Sequence, residues 1–157
     1  MRKLSIYVDT SFIGGYFDEE FSNDTKLLFG EILRGGYQLV ISDLTQKELL
    51  NAPEKVKTLL MDLKVDFELV FVTEESINLA SEYVKEKVIG QTSFDDCIHI
   101  ATATINRVDL LVSWNFKHIV NIQRIRGYNS INLKNGYPIL EIRSPKDLIN
   151  YENSKEI

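Results

Sequence analysis

The chain has 157 residues, of which 44% are hydrophobic, 26% charged and 10% aromatic. This composition supports one packed globular domain and excludes collagen-like, coiled-coil and intrinsically disordered chains. The formal net charge of −5, taken alone, argues against a nucleic-acid-binding protein, because phosphate contacts require basic surface.

The charge is distributed unevenly along the chain. Residues 1–106 carry ten Lys or Arg against eighteen Asp or Glu, residues 107–146 carry seven against two, and residues 147–157 carry one against three. An acidic body is therefore joined to a basic segment, defined here as residues 107–146.

Two further features bear on the compartment. No stretch reaches the roughly 18 apolar residues of a membrane span, and the apolar part of MRKLSIYVDTSF is too short for a signal peptide. The only cysteine, Cys97, cannot form an internal disulfide and excludes a metal site built on several thiolates. We therefore expect a cytoplasmic protein without membrane association.

The first half of the chain is predicted to alternate strands with helices. Apolar runs rich in β-branched and aromatic residues predict strands at residues 4–8 and 37–41. Thr10 or Ser11 is predicted to cap a short helix, and a longer helix is predicted to begin near residues 22–24 and stop before two glycines. The apolar stripe predicted for this longer helix is Leu27, Leu28, Ile32 and Leu33.

The alternation continues after the second strand. Ser42 or Asp43 is predicted to cap a helix, and Pro53 permits a further helix before a third strand at residues 67–72. Thr73 is predicted to open the helix that follows.

The second half carries three more predicted elements. The helix after the third strand is expected to end at Gly90, and a helix is predicted at residues 93–106. A fourth buried strand is predicted at residues 109–113, and residues 139–142 are a candidate fifth strand near the sheet edge.

Alternating elements with near-continuous apolar strands are typical of a parallel sheet covered by helices on both faces. The domain is expected to span residues 1–149, with a frayed tail at residues 150–157. Ligands of such sheets bind beyond the carboxyl ends of the strands. Polar residues that follow the strands are therefore the candidates for function.

Three acidic residues lie near predicted strand ends. Asp9 follows the first strand, Glu48 lies one to two turns into the helix after the second, and Asp96 lies in the first turn of the helix before the fourth. Converging carboxylates repel one another and take up protons unless a cation lies between them. Mg²⁺ or Mn²⁺ fits, because hard cations take carboxylate oxygens and assist phosphodiester hydrolysis by water. Asn115, just beyond the fourth strand, can add an uncharged ligand.

Each of these residues also has a purely structural interpretation. Asp9 can cap a helix, Glu48 can be a solvated helix residue, and Asp96 can favour a helix start. Asn115 can cap a helix that begins at Phe116. The residues alone leave the metal site and the structural interpretation equally open.

Four short motifs recur in chain order at the strand ends and in the helix before the fourth strand. The motifs are Val8-Asp9-Thr10-Ser11, Ile41-Ser42-Asp43-Leu44 with Glu48-Leu49, the run from Asp96 to Ala103, and Val112-Ser113-Trp114-Asn115-Phe116. Together they resemble the PIN-domain family over most of the chain, from the first strand to about residue 145. Among the members of this family the chain most resembles the small stand-alone type, the VapC-like toxins of bacterial toxin–antitoxin pairs.

The resemblance implies a three-layer α/β/α sandwich with a central parallel sheet. It also implies a Mg²⁺- or Mn²⁺-dependent endoribonuclease in which Asp9, Glu48 and Asp96 hold the metal and Asn115 completes the catalytic site. Members are commonly homodimers, and the toxins are silenced by an antitoxin protein, so RNA, an antitoxin and a second copy of the chain are the partners that the resemblance implies.

The chain departs from the family pattern at Asn115, where Asp is the commoner residue. Three carboxylates remain, which argues against a tightly held second metal. Asp95 and Asp96 are adjacent, and only one can face the site because neighbouring helical residues project about 100° apart. Asp96 is the better candidate, because His99 and Ala101 follow it at the family's spacing.

Other polar groups are assigned supporting roles. Thr10, Ser11 and Ser113 are hydroxyls beside the proposed ligands, although capping explains each equally well. The basic segment is a candidate RNA-backbone contact, although a solvated surface explains it equally well. Its residues considered for this role are Arg107, Lys117, Arg124, Arg126, Lys134 and Arg143.

The remaining candidates for chemistry are interpreted as structural. His99 is expected to be a packed, hydrogen-bonded core histidine, and Cys97 a small core residue. Trp114 and Phe116 can stack on bases, but packing over the sheet edge is the preferred interpretation.

Three other functions are alternatives to the ribonuclease. An aspartyl-nucleophile phosphatase requires a second Asp where Ser11 stands, and a response-regulator-like receiver requires an acidic pair and a phosphoacceptor Asp that are not evident. A non-catalytic PIN-fold module that binds RNA or a protein partner remains the alternative.

Overall fold

A computed structural model describes residues 2–86 and 92–149. Within them, five strands form one sheet in the order β3-β2-β1-β4-β5, and every neighbouring pair is parallel. The strands are β1 (Leu4–Val8), β2 (Tyr37–Ser42), β3 (Phe67–Val70), β4 (Leu110–Val112) and β5 (Glu141–Arg143).

Helices connect the strands and cover both faces of the sheet. Helices α1 to α5 contribute to one hydrophobic cluster and helices α6 to α8 to a second cluster. The helices are α1 (Thr10–Gly15), α2 (Ser22–Leu33), α3 (Asp43–Leu49), α4 (Glu54–Lys57), α5 (Leu59–Asp62), α6 (Glu74–Lys85), α7 (Phe94–Ile105) and α8 (Ile122–Lys134).

The strands separate the two clusters by the direction of their side chains. In β1, Ile6 and Val8 belong to the cluster of α1 to α5, whereas Tyr7 belongs to the cluster of α6 to α8. All three side chains are fully buried, as expected for a central strand covered on both faces. The three-layer α/β/α sandwich with a central parallel sheet is thereby confirmed.

The sheet order creates a switch point beside the central strand. From β1 the chain builds outward through β2 and β3, then crosses to the other side of β1 to form β4 and β5. Segments that follow β1 and β4 therefore diverge at the carboxyl edge of the sheet. Crevices of this kind are where ligands bind in open α/β folds.

Several predicted boundaries and faces differ from the structure. Strand β3 ends at Val70 rather than at residue 72, and Asp9, not Thr10 or Ser11, caps α1. In α2 the predicted stripe is partly wrong, because Leu27 and Leu33 are about half exposed. The buried residues of that helix are Thr25, Leu28, Phe29 and Ile32.

Helix α8 was not predicted at all. Its buried residues include Gly127 and Asn132, which interrupt the apolar periodicity that marks a helix in sequence. Asn132 is satisfied in the core because its Oδ1 accepts from Tyr83 Oη at 2.5 Å and its Nδ2 donates to Thr104 Oγ1 at 3.2 Å. A buried amide with partners on α6 and α7 therefore replaces an apolar contact.

The segment after β4 differs from the expected helix, and two other expectations concern residues outside the described ranges. Residues 116–119 form a turn rather than a helix. The helix end expected at Gly90 and the tail expected at residues 150–157 lie outside the described residues. Within residues 2–86 and 92–149, no helix has the length and apolarity needed to cross a bilayer.

Gly15 permits the close packing of α1 against the segment after β4. A Cβ at this position would lie 2.6 Å from Trp114 Nε1 and 2.8 Å from Thr25 Oγ1, two atoms that are hydrogen-bonded to each other at 2.9 Å. We expect Gly15→Ala to lower the free energy of unfolding by about 2 kcal/mol through overpacking, as measured by urea denaturation.

Gly14→Ala is the matched control, because a Cβ there meets no atom within 4 Å. Alanine favours the helix relative to glycine, so this variant should be neutral or more stable by less than about 1 kcal/mol. Equal stability of the two variants would contradict the packing argument.

Candidate active site

An open pocket of about 300 Å³ lies at the carboxyl edge of the sheet. All four residues proposed from the sequence line it, although they come from the ends of β1 and β4 and from two different helices. The lining residues are Asp9, Thr10, Ser11, Glu48, Asp96, His99 and Asn115.

Asp9 is buried at the base of the pocket and held by three donors. Its Oδ1 accepts from the Phe12 backbone N–H at 3.1 Å and from Ser11 Oγ at 2.8 Å, and its Oδ2 accepts from Ser113 Oγ at 2.7 Å. The first bond is the N-cap of α1. The capping interpretation and the pocket position are therefore both correct for Asp9.

Glu48 reaches the pocket from the sixth position of α3. Its Oε1 accepts from Thr10 Oγ1 at 2.7 Å and from His99 Nε2 at 2.8 Å. His99 is 1% exposed, and its Nδ1 lies 2.5 Å from Tyr7 Oη. The histidine is thus the hydrogen-bonded core residue expected, but its bond to Glu48 was not foreseen.

Asp96 and Asn115 face each other across the pocket. Asn115 Nδ2 donates to Asp96 Oδ2 at 3.4 Å, while Asn115 Oδ1 accepts from the His118 backbone N–H at 2.9 Å. Asn115 therefore caps a turn and also contacts an acid of the site. Asp95 is exposed and does not line the pocket, which agrees with the choice of Asp96.

The three carboxylates share a region that is poor in compensating charge. Burial, together with the negative charges of Asp9 and Glu48, raises the pKa of Asp96 to about 6. Burial also acts to raise the pKa of Glu48, but the hydrogen bonds from His99 and Thr10 and the charge of His99 outweigh it, so that this pKa is lowered. Of these two acids, Asp96 is therefore the one whose ionised form is disfavoured.

The carboxylates do not yet surround a common point. Among residues 2–86 and 92–149, no three His, Cys, Asp or Glu side chains are arranged so that they could hold a metal ion together. Asp9 uses both carboxylate oxygens in hydrogen bonds. Oδ2, with one donor among the described residues, retains a second lone pair with which it could bind a cation.

The basic segment does not lie on one surface. Arg107 follows the far end of α7, and Lys134, in the last turn of α8, pairs with Glu86 at 2.5 Å. Both are at the amino edge of the sheet, opposite the pocket. Lys117 comes two residues after Asn115, in the segment that follows β4 at the carboxyl edge of the sheet.

Two other basic residues also lie toward the carboxyl edge. Arg124 is in the first turn of α8 and hydrogen-bonds to Thr92 just before α7, and Arg143 ends β5. Arg143 pairs with Glu141 at 2.7 Å. The basic residues are thus divided between two edges of the molecule.

The aromatic residues after β4 take two different positions. Trp114 is buried, stacks on Phe21 at 4.2 Å between ring centroids and donates from Nε1 to Thr25 Oγ1. Phe116 is 47% exposed and packs one side of its ring edge-to-face against Trp114, with 6.0 Å between ring centroids. The preferred packing interpretation therefore holds for Trp114.

Sequence reasoning missed the polar residues beneath the pocket. Tyr7 Oη lies 2.7 Å from Ser42 Oγ, which in turn caps α3 by accepting from the Thr45 backbone N–H at 3.2 Å. In the sequence, Tyr7 is one apolar member of a strand. Nothing in that pattern indicates a hydrogen bond to a histidine 92 residues later.

Comparison with known proteins places the fold and the family. The sequence profile of the PIN domain matches residues 6–117. No curated protein has a significantly matching sequence.

Three solved structures illustrate the structural likeness. VapC20 of Mycobacterium tuberculosis, a Sarcin-Ricin loop cleaving toxin, is 19% identical over 70% of this chain and 89% of its own, with a TM-score of 0.55. VapBC2 of Rickettsia felis, bound to a DNA fragment from its promoter, is 14% identical over 90% and 98%, with a TM-score of 0.56. A toxin–antitoxin complex from Klebsiella pneumoniae is 21% identical over 72% and 88%, with a TM-score of 0.50.

These structures share the fold with this chain at low sequence identity. The match to the PIN-domain profile covers residues 6–117, well over half of the chain, and includes all four candidate site residues. The chain therefore belongs to the PIN domain family.

Proposed function

We propose that the protein is a metal-dependent endoribonuclease that hydrolyses RNA phosphodiester bonds, and that it is the toxin of a toxin–antitoxin pair. One observation carries the proposal: Asp9, Glu48 and Asp96 come from three separate elements and line one pocket at the switch point of the sheet. PIN domains are generally nucleases, VapC20 is a Sarcin-Ricin loop cleaving toxin, and the Klebsiella pneumoniae structure is a toxin–antitoxin complex.

The donor set fits Mg²⁺ or Mn²⁺. The three carboxylates and the Asn115 amide offer oxygen ligands, which hard divalent cations prefer. Burial and the nearby charges of Asp9 and Glu48 raise the pKa of Asp96, and a bound cation would favour the ionised form of this carboxyl.

In the proposed mechanism, Asp9, Glu48 and Asp96 would hold the cation. When bound, the ion would supply acidity to the attacking water and charge compensation to the phosphoryl transition state. Asp9 is kept in place by the hydroxyls of Ser11 and Ser113. Asn115 orients Asp96 through its Nδ2 and adds no charge.

The proposal includes partners. Lys117, Arg124 and Arg143 lie toward the edge where the pocket opens and are the proposed contacts to the RNA backbone. The toxin–antitoxin complex from Klebsiella pneumoniae supports a cognate antitoxin for this chain, and we propose a homodimer as its functional state.

A non-catalytic PIN-fold module that binds RNA or a protein is the second candidate. It is favoured by the absence, within the described residues, of three side chains in ligating geometry. Calorimetric titration with Mn²⁺, followed by an RNA cleavage assay with and without chelator, separates the two functions. Neither binding nor cleavage would favour the module.

Removal of a single carboxylate should abolish the proposed activity. We expect Asp9→Asn and Asp96→Asn each to reduce chelator-sensitive RNA cleavage by at least about 100-fold, because each variant loses one charged ligand while keeping the side-chain shape. Asp95→Asn removes a neighbouring exposed charge and should cleave at the wild-type rate. Unchanged cleavage by Asp9→Asn would refute the mechanism.

Asp96→Asn should also stabilise the metal-free protein. Because the pKa of Asp96 is raised to about 6 in the folded state from an ordinary value of 3.8, the carboxylate lowers stability as pH rises through that interval. In chelator at pH 8, Asp96→Asn should therefore raise the free energy of unfolding by about 1 kcal/mol, because solvent partly screens the charge of this half-buried side chain.

Denaturation by urea at pH 4 and pH 8 checks this expectation. The stabilisation should be small at pH 4, where Asp96 is protonated in the folded protein, and should reach its full size above pH 7. Asp95→Asn should show no comparable difference between the two pH values. A variant less stable than wild type at pH 8 would contradict the charge argument.

A further inference from the structure

His99 joins the buried core to the proposed metal site. It is 1% exposed, and both ring nitrogens are engaged, Nδ1 with Tyr7 Oη at 2.5 Å and Nε2 with Glu48 Oε1 at 2.8 Å. The proposed mechanism assigns no task to this imidazole. A buried polar side chain with two short hydrogen bonds calls for a physical explanation.

The direction of the bond to Glu48 follows from its acceptor. An ionised carboxylate can only accept, so Nε2 of His99 must carry a hydrogen and donate it. This holds whether the ring is neutral or charged, because either form can carry a hydrogen on Nε2. The contact therefore constrains Glu48 in both states of the ring.

The ring is itself held from beneath. Tyr7 Oη also lies 2.7 Å from Ser42 Oγ. Ser42 Oγ in turn accepts a hydrogen bond from the Thr45 backbone N–H at the start of α3. Tyr7, Ser42, Thr45 and His99 are all buried. The imidazole therefore has little freedom to rotate, and its position is tied to the same helix that carries Glu48.

Glu48 depends on such support more than Asp9 does. Asp9 has a short side chain with three donors, whereas Glu48 has one more rotatable bond and is 29% exposed. Its Oε1 accepts from both Thr10 and His99. Among the hydrogen bonds of the described residues, none uses Glu48 Oε2.

We propose that His99, braced by Tyr7, is a positioning residue that fixes Oε1 of Glu48 and so leaves Oε2 free to bind the divalent cation. This inference rests on the proposed function of the pocket. A leucine would fill a similar volume without the desolvation cost of a buried imidazole. Unlike leucine, the polar ring can orient Glu48 through a hydrogen bond.

The first test measures Mn²⁺ affinity by calorimetry on the full chain. His99→Leu should weaken binding about 10- to 100-fold, the usual effect of removing a group that orients a metal ligand. His99→Gln should recover most of this loss, because its side-chain N–H₂ can donate to Glu48. His118→Gln alters the chain's other histidine and should leave the affinity unchanged.

A second measurement does not depend on the metal. In chelator, the carboxyl carbon and γ-methylene of Glu48 are followed by ¹³C NMR relaxation. We expect greater mobility in His99→Leu than in wild type and near wild-type order in His99→Gln. A residue that served only to fill the core would not restore Glu48 order through a hydrogen-bonding replacement.

The outcomes separate this inference from the proposed function. Wild-type protein that binds Mn²⁺ with His99→Leu unchanged would overturn the positioning role alone. Wild-type protein that binds no Mn²⁺ would overturn the proposed metal site, and the ligand role of Glu48 with it.

Tyr7→Phe keeps the test decisive if His99→Leu does not fold. It removes one buried oxygen and leaves the ring of Tyr7 in place, so the brace of His99 is lost while the core volume is kept. We expect an affinity loss of about 3- to 10-fold and increased mobility of Glu48. Wild-type values for both measurements in a folded Tyr7→Phe protein would overturn the proposal.

Discussion

The geometry of the pocket depends on the hydrogen bond that Ser113 Oγ donates to Asp9 Oδ2, which is 2.7 Å long. This bond joins the carboxyl ends of β1 and β4, two adjacent parallel strands whose following segments turn away from each other. The pairing of Val8 with Val112 sets Asp9 beside Ser113. Any shift in this register would separate the acid from its hydroxyl.

The same two loops are tied by further hydroxyl contacts. The Trp114 backbone N–H donates to Ser11 Oγ at 3.1 Å, and the Asn115 backbone N–H donates to Ser113 Oγ at 3.0 Å. The positions of Asn115 and Asp9 are therefore coupled through side chains that carry no charge. Neutral hydroxyls can hold the carboxylate in place without cancelling the negative charge that a cation would recognise.

Strand periodicity and strand ends were accessible from the sequence because they depend on local pattern. Asp9 directly follows β1, so locating the strand also located the acid at the sheet edge. Glu48 and Asp96 are different, because each lies within a helix and its direction depends on how that helix packs. Their positions near strand ends made them candidates but left a metal site and a structural role equally open, and the family resemblance favoured the metal site because it carries tertiary information that spacing alone lacks.

The features that escaped prediction are polar groups with distant partners. The bond between His99 and Glu48 joins residues 51 positions apart. Asn132 interrupts the apolar pattern of α8, and it can be buried there because Tyr83 and Thr104 are its hydrogen-bond partners. A pattern of apolar residues records which side chains avoid water. It does not record which polar side chains satisfy one another inside the protein.

The distribution of charge changes the meaning of the net value of −5. The basic segment does not act as a unit, because Arg107 and Lys134 lie at the amino edge and Lys134 is paired with Glu86. Of the five basic residues described above, Lys117, Arg124 and Arg143 lie toward the carboxyl edge of the sheet. An RNA phosphate approaching three carboxylates would meet repulsion that these few cations only partly offset. For the proposed ribonuclease, a divalent cation is then required to admit the phosphate as well as to assist its hydrolysis, so substrate affinity and catalysis should depend on the same ion.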